Sequence, residues 1–204
     1  MAKARQLILA SGSAARQAML TAAGVTFDVV PAGIDEESII KEMIANDPQV
    51  SSADIASRLA GAKAASIAKR YPDAFVIGSD QVLMDEARRI FFKADTRERA
   101  RDVLRSLRGT THTLTSAVAL AEGPRVVWQT SQNAHLTMRN FSDEFLDGYM
   151  ARAGDCLTKS VGAYAFEGLG GQLFDRVEGD HFTILGMPLL QLLQALRERG
   201  VLDT

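Results

Sequence analysis

Cysteine is nearly absent from the chain, which has one, Cys156, among its 204 residues. A single cysteine cannot form an internal disulfide, so the fold must depend on its packed core. The residues beside Cys156 include no histidine that would activate its thiol. The three histidines, His112, His135 and His181, lie far apart and lack the spacing of zinc ligands. A disulfide scaffold, a thiol enzyme and a zinc protein are therefore not expected.

An excess of either charge is also missing. Lys and Arg number 23 against 25 Asp and Glu, a net charge of −2, so the overall balance implies neither a nucleic-acid partner nor a membrane surface. The apolar stretch near the N-terminus, residues 7–10, is too short for a signal peptide or a membrane span. With 47% hydrophobic residues the chain can bury one sizeable core. We expect a single domain over residues 1–204 in the cytoplasm, with a homodimer left open.

Strand-like and helix-like patterns alternate along the chain. Strands are predicted near residues 6–10, 27–31, 75–83, 113–121, 125–138 and 163–166, with 171–176 pairing afterwards. Helices are predicted near residues 13–23, 52–70, 97–107, 143–152 and 188–199. Residues 122–124, Glu-Gly-Pro, join two of the strands and predict an antiparallel hairpin. The fold class that follows is α/β, a mixed twisted sheet flanked by helices.

The helix predicted at 52–70 places two cations beside an apolar stripe. Its apolar face is predicted from the spacing of Ile55, Leu59, Ala62 and Ile67. That assignment leaves Arg58 and Lys63 on the flanks of the helix. Ser51-Ser52-Ala53-Asp54 before the stripe is a typical helix start.

Asp80 lies in an apolar run, residues 74–84, that otherwise predicts a buried strand, and we expect it where that strand emerges from the core. Such strand ends are where α/β proteins place their chemistry, and Lys63 and Lys93 supply cations that would neutralise a phosphate chain. From this run alone, an ordinary aspartate in a turn is the more frequent alternative.

The N-terminal strand leads through Ser11-Gly12-Ser13 into a helix with Ser13 as its expected N-cap. Free backbone N–H groups at the helix start, two hydroxyls and Arg16 form a predicted anion site. The alternative is a capped helix with a solvated arginine. Neither a Walker loop nor a dinucleotide-binding glycine motif occurs.

Acidic residues supply two further candidates. Asp35-Glu36-Glu37 follows the second strand; such a cluster is usually a solvated turn, but it also offers the oxygen ligands that Mg²⁺ prefers beside a triphosphate. Glu167 precedes a glycine-rich turn and is suited to read a base edge if that turn faces a cleft. Trp128 and Phe166 are candidate stacking residues, although packing within a sheet is the more frequent use of both.

Taken together, these segments resemble the Maf-type nucleotide pyrophosphatases, also called septum-formation inhibitor proteins. The resemblance covers almost the whole chain in the family's order. It is carried by Leu9–Gln17, Gly33–Glu36, Arg58–Ala64, Gly78–Gln81, Lys93, Gly109–His112, Val161–Gly171 and Leu185–Leu189.

The resemblance implies a Maf and ITPase type of fold with a nucleotide cleft, and hydrolysis of a nucleoside triphosphate between its α and β phosphates. It implies Asp80 as the proton acceptor and Mg²⁺, or another divalent cation such as Mn²⁺, held by Glu36 and Asp80. The nucleoside triphosphate substrate is then contacted by the remaining matched positions: Ser11, Ser13, Ala15, Arg16, Lys63, Gln81, Lys93 and Glu167.

Departures from the family pattern concern the substrate. Gln81 and Glu167 resemble the subgroup associated with 7-methyl-GTP and with the removal of modified nucleotides. Ala14 and Ala15 stand where other members carry a proline and a cation or an aromatic ring, and Ser160 stands at a lysine position. A dTTP- and UTP-type pyrophosphatase, and a nucleotide-binding regulator of cell division with little hydrolysis, stay open as alternatives.

Overall fold

The computed structural model describes residues 5–203, and helices alternate with strands along that range. The strands are β1 Leu7–Leu9, β2 Asp28–Val29, β3 Phe75–Asp85, β4 Ile90–Phe91, β5 Thr111–Glu122, β6 Arg125–Met138 and β7 Phe174–Glu178. The α-helices are α1 Ala14–Ala22, α2 Glu36–Asn46, α3 Ser52–Ala68, α4 Arg97–Leu107, α5 Asp143–Arg152, α6 Cys156–Lys159, α7 His181–Ile184 and α8 Leu189–Glu198. The predicted α/β class is confirmed.

The strands form one mixed sheet in the order β2-β1-β3-β5-β6-β7, with β4 paired to β3. The pairings of β1 with β2 and with β3 are parallel, and those of β3 with β4 and of β6 with β7 are antiparallel. The β5 and β6 strands are neighbours joined by Gly123 and Pro124, as the predicted hairpin requires.

The chain divides into two compact units. The first unit contains the residues up to Gln81, Ser116–Gln132 and the residues from His181 onward, and the second contains Val82–Thr115 and Asn133–Asp180. The assignment of residues 1–204 to one domain stays a prediction, and Met1–Ala4 and Thr204 lie outside the described residues. The core of the first unit is built from β1, β3, β5, α1 and α8, including Leu9, Leu20, Ile77, Leu120 and Leu192.

Helix α3 packs against β3 at Gly78 with no side chain between them. A Cβ at Gly78 would lie 2.1 Å from the carbonyl oxygen of Ala60 and 2.6 Å from the nitrogen of Ala64. Only glycine allows two backbones to approach so closely. Contact with α3 therefore fixes the position of β3 at a point within the strand, two residues before Asp80.

Three of the four residues predicted for the inward face of α3 are buried, namely Ile55, Leu59 and Ile67. Lys63 and Ala62 were placed wrongly. Lys63 is 7% exposed and buried, whereas Ala62 is only half-buried. Lys63 lies four residues after Leu59 and four before Ile67, so all three share one face of the helix. The expectation that Lys63 flanks the apolar stripe fails because its cation has partners inside the protein. Arg58 is exposed, as expected.

The strand predicted at 163–166 is also wrong. Gly162 and Ala163 have φ values of 82° and 60° within a short 3₁₀ turn, Val161–Ala163. Two consecutive residues with positive φ cannot continue an extended strand. Gly170 and Gly171 lie in a second 3₁₀ turn, Leu169–Leu173, so the strand predicted at 171–176 begins only at Phe174.

Candidate active site

Three charged side chains of the first unit meet at β3. The ammonium of Lys63 lies 2.5 Å from Oδ1 of Asp80 and 2.8 Å from Oε1 of Glu36. Asp80 is 6% exposed, whereas the Glu36 side chain is 48% exposed. Lys63 thus joins a buried carboxylate to one that solvent reaches.

Each of these residues is placed by a regular element. Asp80 lies in the middle of β3, so the predicted position at the strand end and the alternative of an aspartate in a turn are both wrong. The alternation of faces would otherwise favour an apolar residue there. Lys63 is on the inward face of α3, and Glu36 opens α2. The side chain of Asp35 accepts a hydrogen bond from the backbone N–H of Ser38 at 2.9 Å, which caps that helix. The acidic cluster is therefore a helix start and not a turn.

Burial raises the pKa of the Asp80 carboxyl above its ordinary value, and the positive charges of Lys63 and Arg16 act in the opposite direction. Burial likewise lowers the pKa of the Arg16 guanidinium, while Asp80 and Glu36 favour its charged form. A carboxylate with a raised pKa is better suited to accept a proton near neutral pH.

Arg16 lies in the first turn of α1, and the residue is buried within the first unit, with 8% of its surface exposed. Its Nη1 donates to the hydroxyl of Ser11 at 3.1 Å, and its Nε donates to the carbonyl of Gly186 at 2.9 Å. Ser13 is the N-cap of α1, as predicted, and accepts from the backbone N–H of Arg16. Arg16 is therefore a buried cation with a fixed orientation, so the alternative of a solvated arginine is wrong.

The amide of Gln81 faces the protein. Its nitrogen donates to the carbonyls of Thr183 and Ile184 at 3.1 and 3.0 Å, and to the hydroxyl of Ser116 at 3.0 Å. An amide nitrogen has only two hydrogens, so these contacts use its whole donor capacity. A base contact by Gln81 would have to use its carbonyl oxygen.

The first unit brings together most of the predicted site: Ser11, Ser13, Arg16, Glu36, Lys63, Asp80 and Gln81. Ala15 is half-buried in the first turn of α1. Lys93 and Glu167 are exposed and belong to the second unit, so their part in the site stays a prediction.

Sequence reasoning missed a group of uncharged residues that hold the charged ones. The hydroxyl of Ser79 is buried and shares its single hydrogen between the carbonyls of Ala117 at 2.8 Å and Gly186 at 2.9 Å. The hydroxyl of Ser116 donates to the carbonyl of Thr183 at 2.7 Å. The signal for this group was the family resemblance, which includes the segments Gly78–Gln81 and Leu185–Leu189.

The two candidate stacking aromatics both pack within their own units. Trp128 packs against the core of the first unit. Phe166 contacts Phe174, with ring centroids 5.7 Å apart.

Residues 5–203 contain no helix that is both long and apolar enough to cross a membrane.

Comparison with known proteins shows the same family over nearly the full chain. The family model described as Maf-like protein matches residues 6–199. A nucleoside triphosphate pyrophosphatase of Paramagnetospirillum magneticum is 50% identical over 96% of this chain and 99% of its own. A 7-methyl-GTP pyrophosphatase of Rhizobium meliloti is 46% identical over 97% of this chain and 98% of its own. The chain therefore belongs to the Maf family.

Proposed function

We propose that this protein is a nucleoside triphosphate pyrophosphatase that releases a nucleoside monophosphate and pyrophosphate. The observation that carries the proposal is the buried set of Arg16, Lys63 and Asp80, with Glu36 at its solvent-accessible side. Buried charges are costly to a fold and are concentrated where a protein does chemistry. Family membership and the names of the relatives agree with this reaction.

In the proposed reaction, a water molecule attacks the α phosphorus and Asp80 accepts its proton. A bond forms between the water oxygen and the α phosphorus, and the bond to the oxygen that bridges the α and β phosphates breaks. Pyrophosphate leaves with that electron pair. The raised pKa of the Asp80 carboxyl suits it to this role.

The cations supply most of the transition-state stabilisation in this proposal, because phosphoryl transfer depends chiefly on positioning and charge neutralisation. Arg16 presents a planar guanidinium that matches phosphate oxygens. Ser11 and Ser13, at the start of α1, add hydroxyls and lie where helix N–H groups face an anion. We propose Lys93, on the second unit, as a further phosphate contact.

A divalent cation, Mg²⁺ or Mn²⁺, fits the two carboxylates Glu36 and Asp80. Within the described part of the chain no group of three or more His, Cys, Asp or Glu is placed to hold a metal ion. Mg²⁺ in nucleotide enzymes is commonly bound by one or two carboxylates together with substrate phosphates, so two are sufficient. When bound, the ion would neutralise phosphate charge.

For the base, we propose 7-methyl-GTP or a related modified purine, consistent with removal of damaged nucleotides. The carboxylate of Glu167 can accept from the N1–H and the exocyclic amine of guanine. One of the relatives is named for this substrate. Ala15 provides no aromatic ring for stacking, which would reduce affinity for a positively charged methylated base.

The proposal is tested by measuring pyrophosphate release from 7-methyl-GTP, GTP, dTTP and UTP with Mg²⁺. We expect Asp80→Asn to reduce kcat by at least about 10²-fold, the usual effect of losing an acid–base group. Asp73→Asn, an exposed aspartate of the same unit, is the control. Unchanged turnover in Asp80→Asn would contradict the mechanism, and absence of turnover with any nucleotide would favour a binding regulator of division.

A further inference from the structure

The 183–187 turn, which comprises the last two residues of α7 and the three residues after them, has carbonyl oxygens held by side chains from several elements of the first unit. Gln81 in β3 donates to the carbonyls of Thr183 and Ile184, and Ser116 in β5 donates to that of Thr183. Met187, at the end of the turn, is fully buried in the core. The turn is therefore fixed from both sides.

Gly186 is the point at which this turn meets Arg16. Its carbonyl accepts from Nε of Arg16 and from the hydroxyl of Ser79, each at 2.9 Å. Its φ is +102°, and a Cβ at this position would lie 3.4 Å from Nη2 and 3.5 Å from Nε of Arg16. Both the backbone angle and the space beside the guanidinium favour glycine.

Arg16 is held through two different nitrogens. The Gly186 carbonyl accepts a hydrogen bond from Nε, and the Ser11 hydroxyl accepts one from Nη1. Two hydrogen bonds from separate nitrogens fix the plane of a guanidinium. Within the described residues, Nη2 makes no hydrogen bond. Both partners belong to the protein, so the rotamer entropy of the arginine side chain is lost on folding and not on ligand binding.

We propose that the 183–187 turn is a positioning element for Arg16, with the Gly186 carbonyl setting the guanidinium so that Nη2 is directed at a substrate phosphate. The proposal rests on the function proposed above, in which Arg16 binds phosphate. Gly186 and Ser116 are positioning residues, because they act through Arg16 and not on the substrate. Preorganisation of this kind reduces the entropy lost on binding and on reaching the transition state.

The test is a pair of double-mutant cycles measured as kcat/KM for pyrophosphate release. Gly186→Ala and Ser116→Ala are each made in the wild-type protein and in Arg16→Ala. We expect Gly186→Ala to lower kcat/KM about 10-fold or more and Ser116→Ala several-fold in the wild type. In the Arg16→Ala background each substitution should lower kcat/KM by less than about 2-fold, because the effects of substitutions at coupled residues are not additive.

Gly200→Ala is the matched control, since Gly200 has φ +66° and a Cβ at that position would have nothing within 4 Å. It imposes backbone strain in the same unit without touching Arg16, and we expect kcat/KM to stay within about 2-fold. If Gly186→Ala does not fold, as judged by its thermal transition, the Ser116→Ala cycle by itself tests the positioning role of the 183–187 turn.

Two results would overturn the inference, and they differ in what they say about function. Equal losses from Gly186→Ala or Ser116→Ala in both backgrounds, with Arg16→Ala itself impaired, would reject the positioning role and leave the proposed function intact. Unimpaired kcat/KM in Arg16→Ala would reject the phosphate contact itself, and with it this inference.

Discussion

The two units of the chain differ in the polar side chains that they bury and in the partners of those side chains. In the first unit, Arg16, Lys63 and Asp80 are buried charges, and each has a hydrogen-bonding or ionic partner. In the second unit the buried titratable side chain His112 bonds to Tyr164 through Nε2 at 2.8 Å, while its Nδ1 has no partner among the described residues. Several charged side chains of the second unit form ion pairs at its surface, such as Arg101 with Asp147.

In the function proposed above, the buried charges of the first unit act on the substrate, whereas surface ion pairs such as Arg101 with Asp147 have no part in the reaction. Stability alone is a weak reason to retain a buried ion pair, because desolvation offsets much of its attraction. An exposed pair contributes little in either direction. Substitutions that remove buried and exposed charges one at a time therefore test this contrast.

The largest effect is expected from Lys63→Met, which keeps the length of the side chain and removes its charge. Asp80 would be left buried without its nearest cation, so we expect a loss of about 3–5 kcal/mol in the free energy of unfolding. We also expect kcat/KM to fall by about 10²-fold or more. Lys69→Met, at the exposed end of α3, is the control for both measurements. Equal unfolding energies for the two variants would remove the contrast between buried and exposed charge.

Lys63→Met also tests the metal site in the absence of nucleotide. The ammonium contacts the two carboxylates that we assign to the divalent cation, so it competes with that ion. We expect Mn²⁺, titrated calorimetrically, to bind the variant more tightly than the wild type. Weaker binding would mean that the lysine organises the site and does not compete for it.

The second prediction concerns His112 and acid. Burial lowers the pKa of His112 to about 4, against an ordinary value of 6.5, so the unfolded chain binds the proton more readily. Stability is therefore lost as the pH falls from 6.5 towards 4, by roughly 2 kcal/mol at pH 5 from this group. His112→Gln should remove that part of the loss in urea unfolding at pH 8 and pH 5. The exposed His135→Gln serves as the control, and an unchanged pH dependence in His112→Gln would contradict the assignment.

The third prediction concerns Glu167, an exposed carboxylate of the second unit that we assign to the base. Glu167→Gln should shift the ratio of kcat/KM values from 7-methyl-GTP towards dTTP and UTP, by about 1–3 kcal/mol, because an unpaired polar edge is costly. Glu144→Gln, at an exposed position of α5, should leave the ratio unchanged. A preference for pyrimidines that Glu167→Gln does not alter would reject the purine assignment and leave the pyrophosphatase assignment in place.

The smallest effect is expected from Arg101→Gln, which breaks the surface pair with Asp147. Such pairs contribute about 0–1 kcal/mol because solvent screens them. We expect the free energy of unfolding, measured in urea, to change by no more than that and kcat/KM to stay at the wild-type value. A loss comparable with that of Lys63→Met would show that exposure does not separate the two kinds of charge.

Elements with strong local signals were predictable from the sequence. Helices α4 and α5 have the predicted bounds, and each begins after a hydroxyl side chain that caps it, Thr96 and Ser142. Helix α2 was missed because its acidic first turn resembles a solvated turn. Its N-cap, Asp35, and the spacing of Ile40 and Ile44 carried the helical signal.

The sequence was sufficient to predict which residue types form the site, but not how deeply they are buried or which groups they contact. Sequence patterns and the family resemblance selected Arg16, Lys63 and Asp80, but the inward orientation of Lys63 was missed because a lysine is rarely buried. Ser79 and Gly186 were not selected, because they act through carbonyl contacts between segments 107 residues apart. Such contacts leave no periodic pattern in one sequence.

The close contact at Gly78 restricts how far this site can change by single substitutions. Position 78 contributes no functional group, yet any other residue there would press on the backbone of α3 at Ala60 and Ala64. The helix would have to move outward, and the separation of Lys63 from Asp80 would increase with it. Position 78 is therefore closed to single substitutions although it contributes no functional group, and a change there would need a compensating change in α3.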